Sequence, residues 1–207
     1  IAVSRSTPDR LYAVVEAENG GVYRSEDAGR TWAQTNSNRV TFARSWYYAK
    51  IEADPQDPET VYVLNAPLLR SIDGGRTFQQ IENPHTDQHA LWIHPDRPQT
   101  MILGNDGGAC ISFNHGKSWS AQDNQPTGQL YRIATDKQFP YRIYSGQQDY
   151  GAFSIASRSA ADGLTNADWK IVGPGESAFI AFDPANPQPI FSTGYQGHGH
   201  AFTPSDN

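Results

Sequence analysis

The sequence predicts an all-β fold, a β-propeller of four-stranded antiparallel blades, on three observations. An eight-residue box is written three times, a proline-rich turn is written five times, and short apolar runs flank both. The boxes are SEDAGRTW from Ser25, SIDGGRTF from Ser71 and SFNHGKSW from Ser112, one Ser-x-Asp-x-Gly-x-Thr-aromatic pattern. Their aromatic residues, Trp32, Phe78 and Trp119, stand 46 and then 41 residues apart. A period of roughly 40 to 50 residues belongs to propeller blades and similar arrays.

Each box reads as a tight turn between two strands. Ser25 with Asp27, Ser71 with Asp73 and Ser112 with Asn114 offer side-chain oxygens to nearby backbone N–H groups, and Gly29, Gly75 and Gly116 supply a positive φ. The terminal aromatic then packs between neighbouring sheets. In the third box Asn114 replaces Asp and Ser118 replaces Thr, and both substitutes still make turn hydrogen bonds. The boxes are therefore expected to be structural.

The proline turns begin at Thr7, Asp54, His94, Thr135 and Phe182, out of phase with the boxes. Each feeds a run of β-branched and aromatic residues suited to a strand. The repeat thus reads strand A, proline turn, strand B, loop, strand C, box turn, strand D. Blades are expected at about 1–38, 39–83, 84–122 and 123–174, with an incomplete fifth over 175–207. About four and a half blades would leave sheet edges open. The expectation is a piece of a larger propeller, closed by more of the chain or by partner subunits.

Glycine at 18, proline at 14 and aromatics at 12% suit many short strands and turns. The net charge of −6, with no basic block, argues against sequence-independent nucleic-acid binding. No apolar run approaches the roughly 20 residues of a membrane-spanning helix. The single cysteine, Cys110, has no partner for an internal disulfide and reads as a small buried hydrophobe.

On these boxes the chain resembles the Asp-box, or BNR-repeat, propellers, a group that includes sialidases, xyloglucanase-type glycosidases and the sortilin ectodomain. The run from Gly104 to Ser159 is similar to large bacterial secreted proteins of the BNR glycosyl-hydrolase or sortilin-like type. That resemblance implies a secreted or cell-envelope location and a glycan or polysaccharide as partner, and it calls for no cofactor. No Phe-Arg-Ile-Pro motif and no arginine triad of the sialidase kind is found. The alternative to a glycosidase is a non-catalytic glycan- or protein-binding module, or a scaffold in a surface assembly.

Strand order narrows where a site can lie. The proline turns and boxes share one face, so the B–C loops and D–A connections share the other. That face gathers Trp46, Asn105, Gln147, Gln148, Tyr150 and Tyr195, amides and aromatic rings that suit sugar hydroxyls and pyranose faces. Glycoside hydrolysis needs two carboxyl groups, and Asp106 and Asp149, in the equivalent loops GNDGG and GQQDYG, form the leading pair, with Glu176 and Asp87 in reserve. A competing reading has each Asp merely capping its own turn. The alternation His85-x-Asp87-x-His89 is a weaker metal candidate, since an extended segment would project all three to one side.

Overall fold

The computed structural model describes residues 1–125, 127–174, 176 and 179–203. They fold as antiparallel sheets in two compact units, Ile1–Pro126 and Thr127–Asn207. In every sheet the strands are neighbours in chain order. Each sheet is therefore a propeller blade built as a meander.

The first unit holds three blades. The first is β1 (Ala2–Val3), β2 (Leu11–Val15), β3 (Gly21–Ser25) and β4 (Ala33–Asn36). The second is β5 (Lys50–Ala53), β6 (Val61–Leu64), β7 (Leu68–Ser71) and β8 (Gln79–Ile81). The third is β9 (Gln88–Ile93), β10 (Met101–Asn105) and β11 (Gly108–Ser112). Its sheet has three strands among the described residues, where the repeat predicts four. Side chains take the place of the missing ladder. Ser120 N–H donates to Ile111 O and Ile111 N–H to Ser120 Oγ, while Gln125 accepts from Ala109 N–H at 2.9 Å and donates to Ala109 O at 2.6 Å.

The blades of this unit pack face to face. Tyr12 and Val22 of the first meet Ile51, Val61, Val63 and Leu69 of the second, with Phe78 against them. Tyr62, Leu64 and Leu68 of the second meet Leu91, Met101, Leu103 and Cys110 of the third, with Trp119 against that cluster. The alternation of the strands produces this: in β10, Met101 and Leu103 are buried while Ile102 faces out. Burial also pushes the Cys110 thiol up to about 11. A thiol reagent should therefore leave the native protein unmodified over a time in which urea-unfolded chain reacts to one equivalent; rapid native labelling would contradict this packing.

The second unit holds β12 (Leu130–Thr135), β13 (Arg142–Gln147), β14 (Gly151–Ala156) and β15 (Trp169–Gly173) in one blade. A second blade has β16 (Ile180–Asp183), β17 (Asn186–Thr193) and β18 (Gly199–Phe202). Tyr144, Ala152 and Val172 of the one blade and Ile190 of the other form the core of this unit. The Tyr144 hydroxyl stays inside because it donates to the buried Asp136 carboxylate at 2.8 Å.

The three boxes close the same turn. Ser25, Ser71 and Ser112 each accept from the N–H of Gly29, Gly75 or Gly116 at 2.9 Å. Those glycines sit at φ of 87°, 79° and 79°, which a side chain would strain. Asp27 and Asp73 each accept from the N–H and hydroxyl of the Thr four residues on. Asn114 keeps the N–H acceptor role and reverses the other bond, donating through Nδ2 to Ser118 Oγ at 2.8 Å.

The carboxylates record these bonds. The hydroxyl and then the N–H of Thr31 lower Asp27 to about 2. For Asp73 burial acts upward, and the Thr77 and Ser71 donors outweigh it, again reaching about 2. Between the unfolded value near 4 and these folded values the unfolded chain binds more protons, so stability falls as pH drops from about 4 toward 2. Asp73→Asn should flatten that decline in urea midpoints between pH 5 and pH 3. A slope unchanged by the substitution would remove Asp73 from the acid response.

Candidate functional site

The loops between second and third strands, and the connections between blades, carry two polar clusters, one in each unit.

In the first unit the connection between β4 and β5 brings Arg44, Trp46, Tyr47 and Tyr48 beside the connection between β8 and β9. Asp87 accepts from Arg44 Nη1 at 3.2 Å and from the Tyr48 hydroxyl. Burial first, and this bond second, push the Tyr48 hydroxyl up to about 12. The Arg44 guanidinium lies 5.1 Å from the Tyr48 ring centroid and 5.6 Å from that of Tyr47. The His89 ring stands edge-on to both tyrosines. Trp46, 72% exposed, and Tyr47, 58% exposed, present the flat apolar surface of this cluster to solvent.

Asp106 does not cap its own turn. That turn, Asp106-Gly107 between the paired residues Asn105 and Gly108, is capped by Asn105, whose Oδ1 accepts from Gly107 N–H at 3.0 Å. Asp106 is left to accept from His89 Nε2 at 2.6 Å. Gly107 has no Cβ for a reason as well: one would meet the His85 ring at 2.8 Å. Beneath lies a buried amide relay in which Gln122 donates to Asn105 and Gln88 donates to His85 O.

His85, Asp87 and His89 do not assemble as a metal set. The alternation requires extended backbone, but Asp87 sits at φ 59°, which turns successive side chains apart. Asp87 goes to Arg44 and Tyr48, His89 to Asp106, and His85 Nδ1 lies 3.1 Å from Thr86 O. Among the described residues no group of three His, Cys, Asp or Glu side chains could hold a metal ion.

In the second unit the β13–β14 loop carries Gln148, Asp149 and Tyr150, with Asp149 at φ 57°. Glu176, buried, anchors this loop: its Oε2 accepts from Asp149 N–H and from Gln148 Nε2, each at 2.7 Å. Gln148 Nε2 also donates to Asp149 Oδ1 at 2.9 Å, and its Oε1 accepts from the Tyr131 hydroxyl. One amide therefore bridges two carboxyl groups. Burial, then the neighbouring Asp149 carboxyl, raises the Glu176 acid above the usual carboxylate range.

Beside this loop a cleft of about 500 Å³ is lined by Gln147, Tyr150, Asn166, Trp169 and Ile171. Trp169 is fixed by stacking on Phe153 at 3.7 Å, with Tyr150 across from it at 6.4 Å. Sequence reasoning missed Asn166 and Trp169, because Trp169 occupies the position that in the boxes belongs to a packing aromatic. Tyr195, 60% exposed, lies in the β17–β18 loop of the other blade of this unit.

Comparison with known proteins places the chain. The family model Sortilin-Vps10, described as sortilin, neurotensin receptor 3, matches residues 20–149. Proline iminopeptidase of Lactobacillus delbrueckii subsp. bulgaricus is 29% identical over 108 residues, covering 49% of this chain and 35% of that protein. The chain thus spans about a third of the length of the curated relatives it matches. Among solved structures, YCF48 from Cyanidioschyzon merolae is 16% identical with a TM-score of 0.41, over 99% of this chain and 66% of that one. An ancestral GH74 enzyme is 19% identical with a TM-score of 0.44, over 97% and 30%. The Sortilin-Vps10 match takes in more than half of the 207 residues, and together with the blades and boxes it shows that the chain belongs to the Sortilin-Vps10 family.

Proposed function

We propose that this propeller module binds a glycan in the cleft of the second unit. The observation that carries the reading is the pairing of an immobilised indole, Trp169, and an exposed phenol, Tyr150, with the amides of Gln147 and Asn166 around one 500 Å³ cleft. Flat apolar rings suit pyranose faces, and amides can donate to and accept from sugar hydroxyls. A receptor-type family description agrees with binding as the basic property. An extracellular or envelope location belongs to the same proposal, since polysaccharides are met there.

Binding is read from the fluorescence of the intact protein, with soluble β-glucan, xylan and a polyuronate as probes and Trp169 as reporter. Tyr150→Ala and Asn166→Ala should each weaken binding about tenfold, the scale of one aromatic or hydrogen-bonded contact. No saturable response to any probe, or wild-type affinity in both variants, would remove the cleft as a glycan site.

The Asp149–Glu176 pair favours one further reading, glycoside hydrolysis. In it Glu176, its acid form favoured by burial, protonates the leaving oxygen, and Asp149, exposed at the loop tip, acts as nucleophile or base. The carboxylates of the first unit are less suited to these roles, because Asp87 and Asp106 are already committed to Arg44 and His89.

A further inference from the structure

The opposite face of the first unit repeats one arginine in two settings. Arg24 and Arg70 each precede the serine of a box and pair across the strand with a tyrosine, Tyr12 and Tyr62. In the first blade both side chains are satisfied. Arg24 Nε meets Glu26 at 2.8 Å, Arg24 Nη1 lies 3.5 Å from Glu59, and the Tyr12 hydroxyl donates to Pro58 O at 2.6 Å. Glu26 belongs to the blade's own box, and Glu59 to the proline turn of the next blade.

One blade on, the acids are gone. Ile72 stands where Glu26 stood, and Gln99 where Glu59 stood. The correspondence is structural: Gly74 N–H donates to Glu59 O, and His115 N–H donates to Gln99 O, the same lock between box and proline turn. Arg70 Nε, without those acids, is buried with no hydrogen-bond partner among the described residues, and so is the Tyr62 hydroxyl beside it. The Arg70 guanidinium lies over the face of the Tyr62 ring, at 5.8 Å. A buried donor without an acceptor is destabilising, more so when charged, so such groups in folded proteins call for an explanation.

Beside Arg70 and Ile72 lies a cleft of about 690 Å³, also lined by Ile81, His115 and Lys117 among others. His115 Nδ1 is a second buried nitrogen without a partner on its wall. Two acids line the cleft as well. Asp73 is spent on Ser71, Arg76 and Thr77 of its box, and Glu82 is exposed and forms no ion pair with Arg70 among the described residues. The lining is formally neutral, Arg70 and Lys117 against Asp73 and Glu82, but Arg70 is paired with neither acid among the described residues, and the two isoleucines supply apolar walls.

We propose that this cleft binds a small organic carboxylate, with Arg70 receiving the carboxylate in the place that Glu26 and Glu59 fill beside Arg24. A guanidinium fork matches a carboxylate in two parallel bonds, and Ile72 and Ile81 take an apolar body. The volume lies within the range of small-molecule sites, about 300–1,000 Å³.

The test titrates the intact protein with benzoate, followed by NMR chemical shifts, against benzamide as the neutral isostere and inorganic phosphate and sulfate as other anions. Saturable binding of benzoate and not of benzamide is expected. Arg70→Gln should weaken it at least about tenfold. Ile72→Glu restores the acid of the first blade and should occupy Arg70 from within, also weakening benzoate about tenfold while raising the thermal midpoint. Because Ile72→Glu adds a partner rather than removing one, it keeps the question open to measurement even if Arg70→Gln unfolds. Absence of benzoate binding, equal binding of benzamide, or unchanged affinity in Ile72→Glu would overturn the proposal. Binding of phosphate or sulfate in preference to benzoate would overturn the carboxylate assignment.

Discussion

Leu103→Ala should destabilise the first unit by about 2–5 kcal/mol, the cost of truncating a fully buried leucine that its surroundings only partly refill. Leu103 lies mid-strand in β10, opposite Leu91 on one side and Cys110 on the other, inside the cluster shared by the second and third blades. The neighbouring residue supplies the control. Ile102 points to the other face, is 41% exposed, and pairs with Trp92 and Ile111, both also exposed. Ile102→Ala should therefore cost less than half as much. Urea unfolding at unchanged m-value would read both. Equal losses for the two leave no basis for a third blade that buries one face against the second.

That contrast also shows what a sequence can display. The repeat of boxes and proline turns made the meander and its phase legible, since turn chemistry and period-2 alternation are local properties written within eight or ten residues. That the third blade has three strands among the described residues was not legible. Residues 117–125 contain no signal that Ser120 and Gln125 side chains would replace a backbone ladder, because any polar loop offers such groups. Departures from the repeat were readable only when aligned on the structure. The change from Glu26 and Glu59 to Ile72 and Gln99 is visible in the letters, but that both positions surround the same arginine is a fact of packing between blades.

The loop face divides in the same way. Its polar inventory follows from strand order, and so could be listed from the sequence. Pairings within it depend on long-range placement. Asp106 meets His89, and Gln148 and the Asp149 N–H meet Glu176, across separations of 17 to 28 residues with no motif linking them. The local competition is decided by a neighbour: Asn105 caps the turn that the competing reading gives to Asp106, which sets Asp106 free to reach His89.

Glu176→Gln and Asp149→Asn are the second pair of substitutions with large expected effects, and they decide between binding and turnover. In the hydrolytic reading, in which both carboxyl groups reach a glycan that extends from the cleft past the loop, each should lower kcat by about 10²–10⁴, the usual worth of one acid–base group, with affinity kept within a few-fold because the ring and amide contacts of the cleft stay in place. Since burial and Asp149 raise the Glu176 acid, activity should fall as pH rises through that raised value, and the alkaline limb should vanish in Glu176→Gln. Two bonds from one Gln148 nitrogen, at 2.9 and 2.7 Å, leave the bonded oxygens too close for the roughly 6.5–9.5 Å gap of inverting enzymes, which favours the closer pair of retaining ones. Product analysis by NMR should accordingly find the anomeric configuration kept. Inversion would mean that a water stands between carboxyl groups farther apart than these two. Wild-type protein that binds glycan and yields no product would assign Glu176 to the other role its geometry supports, an anchor that fixes Asp149 and Tyr150 beside the cleft. That role has its own signature: Glu176→Gln, which keeps an acceptor for the Asp149 N–H, should then retain affinity, while Glu176→Ala should lose it.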